Sequence, residues 1–370
     1  VFAHLSVLRA ENNEVEAAAD IVNRIESLDG SIDNESTLAV ISAAKALIKA
    51  HRGDVEEAIS LLEEARIADA DNMDKSIFGS VQLMLAYVAT ENDNHEASID
   101  LAESAQMLAE ETGTKHAIAH AEQTISRASL GLGRSQEAKE HLEAAVERFS
   151  EFGEKTSAVE SLQQLAYIQM IEEEFGSAAS TIERGLNLLN EGATAERAGL
   201  QLALAEIHAT SGDFEALEIT LESAEELFDS EDTVDEYTQA ELHRHRGKLN
   251  MGDNDPEGAI DEFSEAVEQY AATDDFLSEI MTQLELADAY REIHEYEEAI
   301  NWLNTAIETS EETEKDVFRA IVLFKKVDVY RDQGDLKAAL DTIQVVLDSP
   351  EQLASQPLVT GRAHFEQGSI

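Results

Sequence analysis

The sequence contains no cysteine, only three prolines and 18 glycines in 370 residues, and aromatic side chains make up 5% of it. Without cysteine there can be no disulfide, no thiolate metal site and no cysteine nucleophile. So little proline and glycine argues against a disordered chain, and 43% hydrophobic residues is ample for a buried core. No run of eighteen apolar residues occurs, so no stretch is long enough for a membrane-spanning helix. No basic segment followed by an apolar core marks a secretory leader, and the expected setting is cytoplasmic. Positive charge is scarce too: 26 Lys and Arg stand against 78 Asp and Glu, a formal net charge of −52. Such a chain repels nucleic acid and anionic lipid, whose binding depends on neutralising phosphate. Two explanations of the acidity stay open, a carboxylate coat suited to high salt and long Glu-rich helices. The excess of Glu over Asp favours the second.

What the sequence does have is a period. Segments such as GDVEEAISLLEEA (53–65), GRSQEAKEHLEAA (133–145), HEYEEAINWLNTA (294–306) and GDLKAALDTIQVV (334–346) share one plan. Each reads turn, small anchor, apolar residue at anchor+4, and small or apolar residue at anchor+7. Anchors fall at Ala18, Ala58, Ala97, Ala138, Ala178, Leu217, Ala259, Ala299 and Ala339, about every 40 residues. The i, i+3, i+4, i+7 spacing is helical, and no period-2 run of any length competes with it. Small residues at the anchors let two helices approach closely. Gly53, Gly133, Gly212, Gly252 and Gly334 are expected to make the tight turn inside a repeat, where positive φ is often needed. Ser157-x-x-Glu160, Thr233-x-x-Glu236, Ser349-x-x-Gln352 and Asp255-Pro256 read as helix starts.

The pattern Leu286-Ala287-x-x-Tyr290, Tyr296-x-x-Ala299, Leu303-x-x-Ala306 resembles the tetratricopeptide repeat. The repeats here are longer than that family's usual 34 residues and lack its closing proline. The resemblance implies an all-α fold, a right-handed α-solenoid superhelix of about nine antiparallel helix pairs. It implies a single array over residues 1–370, with 355–370 the start of a tenth repeat. The ends read as uncapped, which suggests a segment of a longer protein, ends packed on something else, or self-association. The implied function is a non-enzymatic scaffold or adaptor that binds protein or peptide on its concave face. The alternative is the sensory or regulatory repeat module of a longer signalling or transcription-regulating protein that takes a peptide or small effector.

Chemistry finds little foothold. There is no glycine-rich phosphate loop and no G-x-S-x-G, and carboxylates are too common for any pair to stand out. No cofactor is implied. His116 and His120 are i, i+4 and share a helix face, but two ligands do not complete a metal set, so no metal is expected. His243 and His245 are i, i+2, which separates them around a helix. The cations are the informative residues because they are few. Lys45, Lys49 and Arg52 form one stripe; Arg244, Arg246 and Lys248 lie in the stretch ELHRHRGKLN (241–250); Lys325 and Lys326 recur later. In the resembled family, first helices line the concave surface, so these eight are candidate groove cations for a partner with acidic side chains or a C-terminal carboxylate. The competing reading is compensation by neighbouring Glu and Asp. His245, between Leu242 and Leu249, reads as a packed and hydrogen-bonded histidine.

Overall fold

A computed structural model describes residues 15–26, 35–68, 75–228, 235–273, 275–312 and 316–348, with 362–363 and 365–367. Among the described residues every regular element is a helix, as the 3.6-residue pattern requires. The chain divides into two compact bodies, Val1–Leu189 and Asn190–Ile370. The first holds α1 (Val15–Glu26), α2 (Glu35–His51), α3 (Val55–Ala68), α4 (Lys75–Glu91), α5 (His95–Thr112), α6 (Lys115–Gly131), α7 (Ser135–Phe152), α8 (Lys155–Ile171) and α9 (Phe175–Leu188). The second holds α10 (Thr194–Ser211), α11 (Phe214–Phe228), α12 (Glu236–Gly252), α13 (Pro256–Tyr270), α14 (Phe276–Glu292), α15 (Tyr296–Glu312), α16 (Asp316–Gln333) and α17 (Leu336–Leu347). From α2 onward an even-numbered helix pairs with the odd-numbered helix that follows, and most pairs also pack on the next pair in their body. The expected first helix of the first repeat and nearly all of the tenth repeat lie outside the described residues.

The anchors explain the stacking. Ala18, Ala58, Ala138, Ala178, Leu217, Ala259, Ala299 and Ala339 have no solvent exposure at all. In the third repeat the residue so buried is Ser98, with Ala97 beside it only half-buried. This corrects the register by one residue and places five successive anchors 40 apart, from Ala18 to Ala178. A serine fits because its Oγ donates to the Ala86 carbonyl at 2.7 Å and lies 2.7 Å from Thr90 Oγ1, so no buried polar atom is orphaned.

The turns repeat as strictly as the core. Five residues before each anchor from Ala58 onward the backbone is left-handed: Gly53 (φ 88°), Asp93 (58°), Gly133 (72°), Glu173 (60°), Gly212 (75°), Asn254 (62°), His294 (64°) and Gly334 (83°). The following amide donates back to the carbonyl five residues earlier, as in Asp54 to Lys49 and Glu295 to Tyr290, closing the first helix of each pair. Gly252 is therefore not a turn residue. It ends α12, and a Cβ there would collide with the Phe214 ring. Asp255 caps α13 by accepting from the Gly258 amide, with Pro256 in the first turn. Ser157 does not cap a helix: α8 starts at Lys155 after Glu154. Thr233 and Ser349 lie outside the described residues.

The register also matches side-chain sizes across each pair. Twelve residues before the anchor sit Ala46, Ala86, Ser126, Ala166, Ala205, Gly247, Ala287 and Val327, and four after it sit residues such as Leu62, Leu142, Ile182 and Leu303, all buried. In the seventh repeat the large residue is Phe263, and its small partner shrinks to Gly247. A Cβ on Gly247 would lie 2.5 Å from the Phe263 ring, which is itself buried. Helix propensity alone favours G247A by ~1 kcal/mol, whereas overpacking costs ~1–3 kcal/mol. We expect G247A to lower stability and G247A/F263L to recover most of the loss, read from denaturation followed by the single tryptophan, Trp302, of the same body. A stabilised G247A would contradict this packing.

Candidate functional site

Eleven residues before the anchor, from the third repeat onward, one side chain per repeat comes to the surface of the even-numbered helices; in the second repeat the position is the buried Leu47. In the first body these are Tyr87, Arg127 and Tyr167; in the second they are Glu206, Lys248, Asp288 and Asp328. Contacts show that neighbours in this column meet. The Arg127 guanidinium lies over the Tyr87 ring at 5.2 Å, and Lys248 Nζ donates to Glu206 at 2.6 Å.

In the second body the column is held in a lattice of ion pairs. Arg244 on α12 donates twice to Glu285 on α14, at 2.8 and 3.0 Å. Lys248 approaches the same carboxylate at 3.6 Å besides its bond to Glu206 on α10. Arg246 points the other way and donates to Glu225 on α11 at 2.5 and 2.9 Å, while His243 meets Glu262 on α13 at 2.7 Å. Lys325 on α16 bonds Asp288 on α14. The basic stretch of α12 is thus distributed over four neighbouring helices, each cation facing a carboxylate. Lys49 and Arg52 behave alike in the first body: Lys49 donates to Glu57 at 2.8 Å and Arg52 to Glu16 at 2.9 Å. Lys45 is half-buried on α2. Lys326 rests on neutral groups, the Asn304 amide oxygen at 2.5 Å and the Tyr330 ring.

His245 is fully buried, as its place between two leucines implied, but it is not hydrogen-bonded. Its Nε2 lies 3.3 Å from Glu241 and its Nδ1 3.6 Å from Glu206, and neither nitrogen makes a bond. Burial would raise the Glu241 carboxyl, yet His245, the Tyr270 hydroxyl and Arg244 together outweigh it and bring it down to about 2. Tyr270 is driven well above the usual phenol range by burial and by Glu241. Burial opposes the charge on Arg244, but Glu285 and its neighbours more than offset this and hold the guanidinium firmly protonated.

Two clefts open beside the column. One, of ≈ 560 Å³, lies among α10 to α14 and includes Phe214, Lys248, Met251, Glu285 and Asp288. The other, of ≈ 490 Å³, lies among α6, α7 and α8 and is lined by Ser126, Arg127, Leu130, Leu142, Glu160, Gln163, Gln164, Tyr167 and Ile168. The second differs in kind. Beyond its place over the Tyr87 ring, Arg127 has a loose contact with Glu91 at 3.8 Å, and Tyr87 and Tyr167 are 46% and 56% exposed despite their size. None of these three was a candidate from sequence. The signal was present in their 40-residue spacing, at positions where packing does not require a large side chain.

Residues 278–352 match the family model of the tetratricopeptide repeat. That stretch is tetratricopeptide repeat. The same fold covers far more of the chain. The apo form of the quorum sensor NprR from B. thuringiensis superposes with a TM-score of 0.59 at 11% identity, over 94% of this chain and 97% of that one. The STAND protein PH0952 from Pyrococcus horikoshii, with its tetratricopeptide repeat sensor, gives 0.56 at 16% identity, over 84% of this chain and 48% of that one. A Rap protein complexed with competence and sporulation factor gives 0.50 at 12% identity, over 96% and 98%. No curated protein matches the sequence. Over most of its length the chain has the fold of tetratricopeptide-repeat structures, and among the described residues no helix is long and apolar enough to cross a membrane.

The charge lattice of the second body has a pH signature. A depressed carboxyl contributes stability that is present above its unfolded value near 4.5 and is lost as the pH falls towards 2. E241Q removes that contribution, so the stability difference between wild type and E241Q, followed by Trp302, should shrink by up to ~3 kcal/mol between pH about 5 and about 2. Parallel profiles through this window would show that Glu241 is not held as described.

Proposed function

We propose that the chain is a non-enzymatic scaffold that binds a peptide segment of a protein partner, and that the cleft of α6, α7 and α8 is where it grips. The observation that carries the reading is the contrast between the two faces. Most of the cations singled out from sequence are spent on internal carboxylates, whereas Tyr87, Arg127 and Tyr167 present aromatic and cationic surface with little internal use. Tyrosine and arginine are the side chains that most often carry binding energy at interfaces. An apolar side chain of the partner would enter between Leu130, Leu142 and Ile168. The amides of Gln163 and Gln164 can both donate to and accept from an extended backbone. The Arg127 fork suits an acidic side chain or a C-terminal carboxylate of the partner. The groove role first given to Lys45, Lys49, Arg52, Arg244, Arg246, Lys248, Lys325 and Lys326 thus passes mainly to Arg127, in a cytoplasmic setting.

A second reading makes this array the sensor of a longer regulatory protein. The fold it shares with a quorum sensor and with the tetratricopeptide sensor of a STAND protein motivates that reading, and the same cleft would then take the effector. Both readings meet one test. Peptides selected from a randomised display library on the wild-type chain should lose at least tenfold in affinity against Y87A/R127E/Y167A, with the helical signal unchanged. Selected peptides that bind the triple variant equally well would remove the cleft from consideration.

A further inference from the structure

The first turns of α6 carry a second site, fixed by hydrogen-bond logic rather than by shape. His116 Nδ1 lies 2.9 and 2.7 Å from the two oxygens of Glu154. A carboxylate only accepts, so this nitrogen carries a proton. His120 Nδ1 lies 3.0 Å from Gln123 Oε1. The amide orientation is set from behind: Gln123 Nε2 donates to Ser161 Oγ at 2.8 Å, and that hydroxyl donates onward to the Ser157 carbonyl at 2.9 Å. Gln123 Oε1 must therefore accept, and His120 Nδ1 is protonated as well. Two neutral imidazoles so held turn bare Nε2 lone pairs towards each other, and these atoms are 2.9 Å apart.

Two acceptors at that distance need a cation between them or a shared proton. The ring geometry separates the options. Imidazole nitrogens sit about 1.1 Å from their ring centre, so a collinear N–H···N bond of this length would place the centres about 5 Å apart. They are 4.2 Å apart with the planes at 78°. The rings are therefore not aligned for a straight N–H···N bond, and a point beside the N···N line can lie at bonding distance from both nitrogens. Metal–nitrogen bonds of about 2.1 Å from that point would subtend roughly 90°, the angle of two neighbouring positions in square-planar or octahedral coordination and smaller than a tetrahedral site needs.

We propose that His116 and His120 form a two-imidazole site for a divalent transition-metal ion of the Cu²⁺ or Ni²⁺ type, with Glu154 and Gln123 as positioning residues. The two Nδ1–H bonds are the outer-shell contacts that fix a ligating histidine's tautomer and ring direction. The acidic chain concentrates cations around itself. Among the described residues no third His, Asp or Glu completes the set, so water fills the other positions.

The test is titration of the intact chain with Cu²⁺ at neutral pH in excess Mg²⁺, which occupies oxygen-only carboxylate sites. The expected result is one saturable Cu²⁺ per chain whose electron paramagnetic resonance shows two equatorial nitrogens. H116A and H120A should each weaken binding at least tenfold and leave one nitrogen or none. E154Q should weaken it by roughly ten- to a hundredfold with both nitrogens retained, which a merely structural Glu154 would not do. Equal binding by wild type and H116A/H120A, an adventitious ion on carboxylates only, would overturn the site. So would a wild-type spectrum without coupled nitrogen, or a pair that titrates with protons yet takes up no metal; circular dichroism confirms that each variant is folded.

Discussion

One contact recurs through the described chain and everything else is arranged around it: a side chain with no exposure, small in every repeat but the sixth with its Leu217, at which two antiparallel helices touch. With almost no radius at the anchor, the helices come close enough for the larger residues at anchor+4 to fill the space beside it. Close approach also demands a tight reversal between the helices, and the left-handed residue five positions before each anchor supplies it. That conformation is kept even where glycine is replaced by Asp93, Glu173, Asn254 or His294. A left-handed non-glycine residue costs roughly 1 kcal/mol, so the geometry is imposed by packing and not by local preference. Gly247 opposite Phe263 shows the same constraint from the other side, since a larger residue at one position is offset by a smaller one at its partner.

A fixed register has an electrostatic consequence. Side chains at one repeat position are brought next to the same position one repeat on, so the sequence writes columns. In the second body the column is charged and paired, and Glu206, Lys248, Glu285 and Arg244 satisfy one another across three helices. Removing one partner of such a half-buried pair costs more than the pair contributes, because the other charge is stranded. This makes the lattice a poor place to recruit a ligand. The first body places Tyr87, Arg127 and Tyr167 in the equivalent column and leaves them facing solvent beside a cleft with two amides, and this is why the binding reading rests there.

The fold was legible because a repeat states its pattern many times. The fully buried residue of the third repeat is Ser98 and not Ala97, which looks like the other alanines, and sequence does not show that Ser98 has a carbonyl waiting for its hydroxyl. Turn glycines were readable except Gly252, where glycine serves a close contact with Phe214. The site was much less legible. With 78 carboxylates available, sequence cannot tell which one each cation faces. Arg246 lies two residues from Arg244 and bonds on a different side of the helix. Nor could spacing show that His116 and His120 are turned towards each other, because their ring directions come from Glu154, Gln123 and Ser161 on other turns.

The account rests on the register, and the absence of native cysteine makes the register directly measurable. Single cysteines placed at Ala138 and Ser98, and at Arg127 and Tyr167 in the surface column, can be labelled with a thiol reagent under native conditions. The anchor positions should react only as fast as the body unfolds, while cysteines at 127 and 167 should react at nearly the rate of a free thiol. The contrary result, with cysteine at 98 or 138 labelled as readily as that at 127 or 167, would mean that the helices do not meet where this architecture requires.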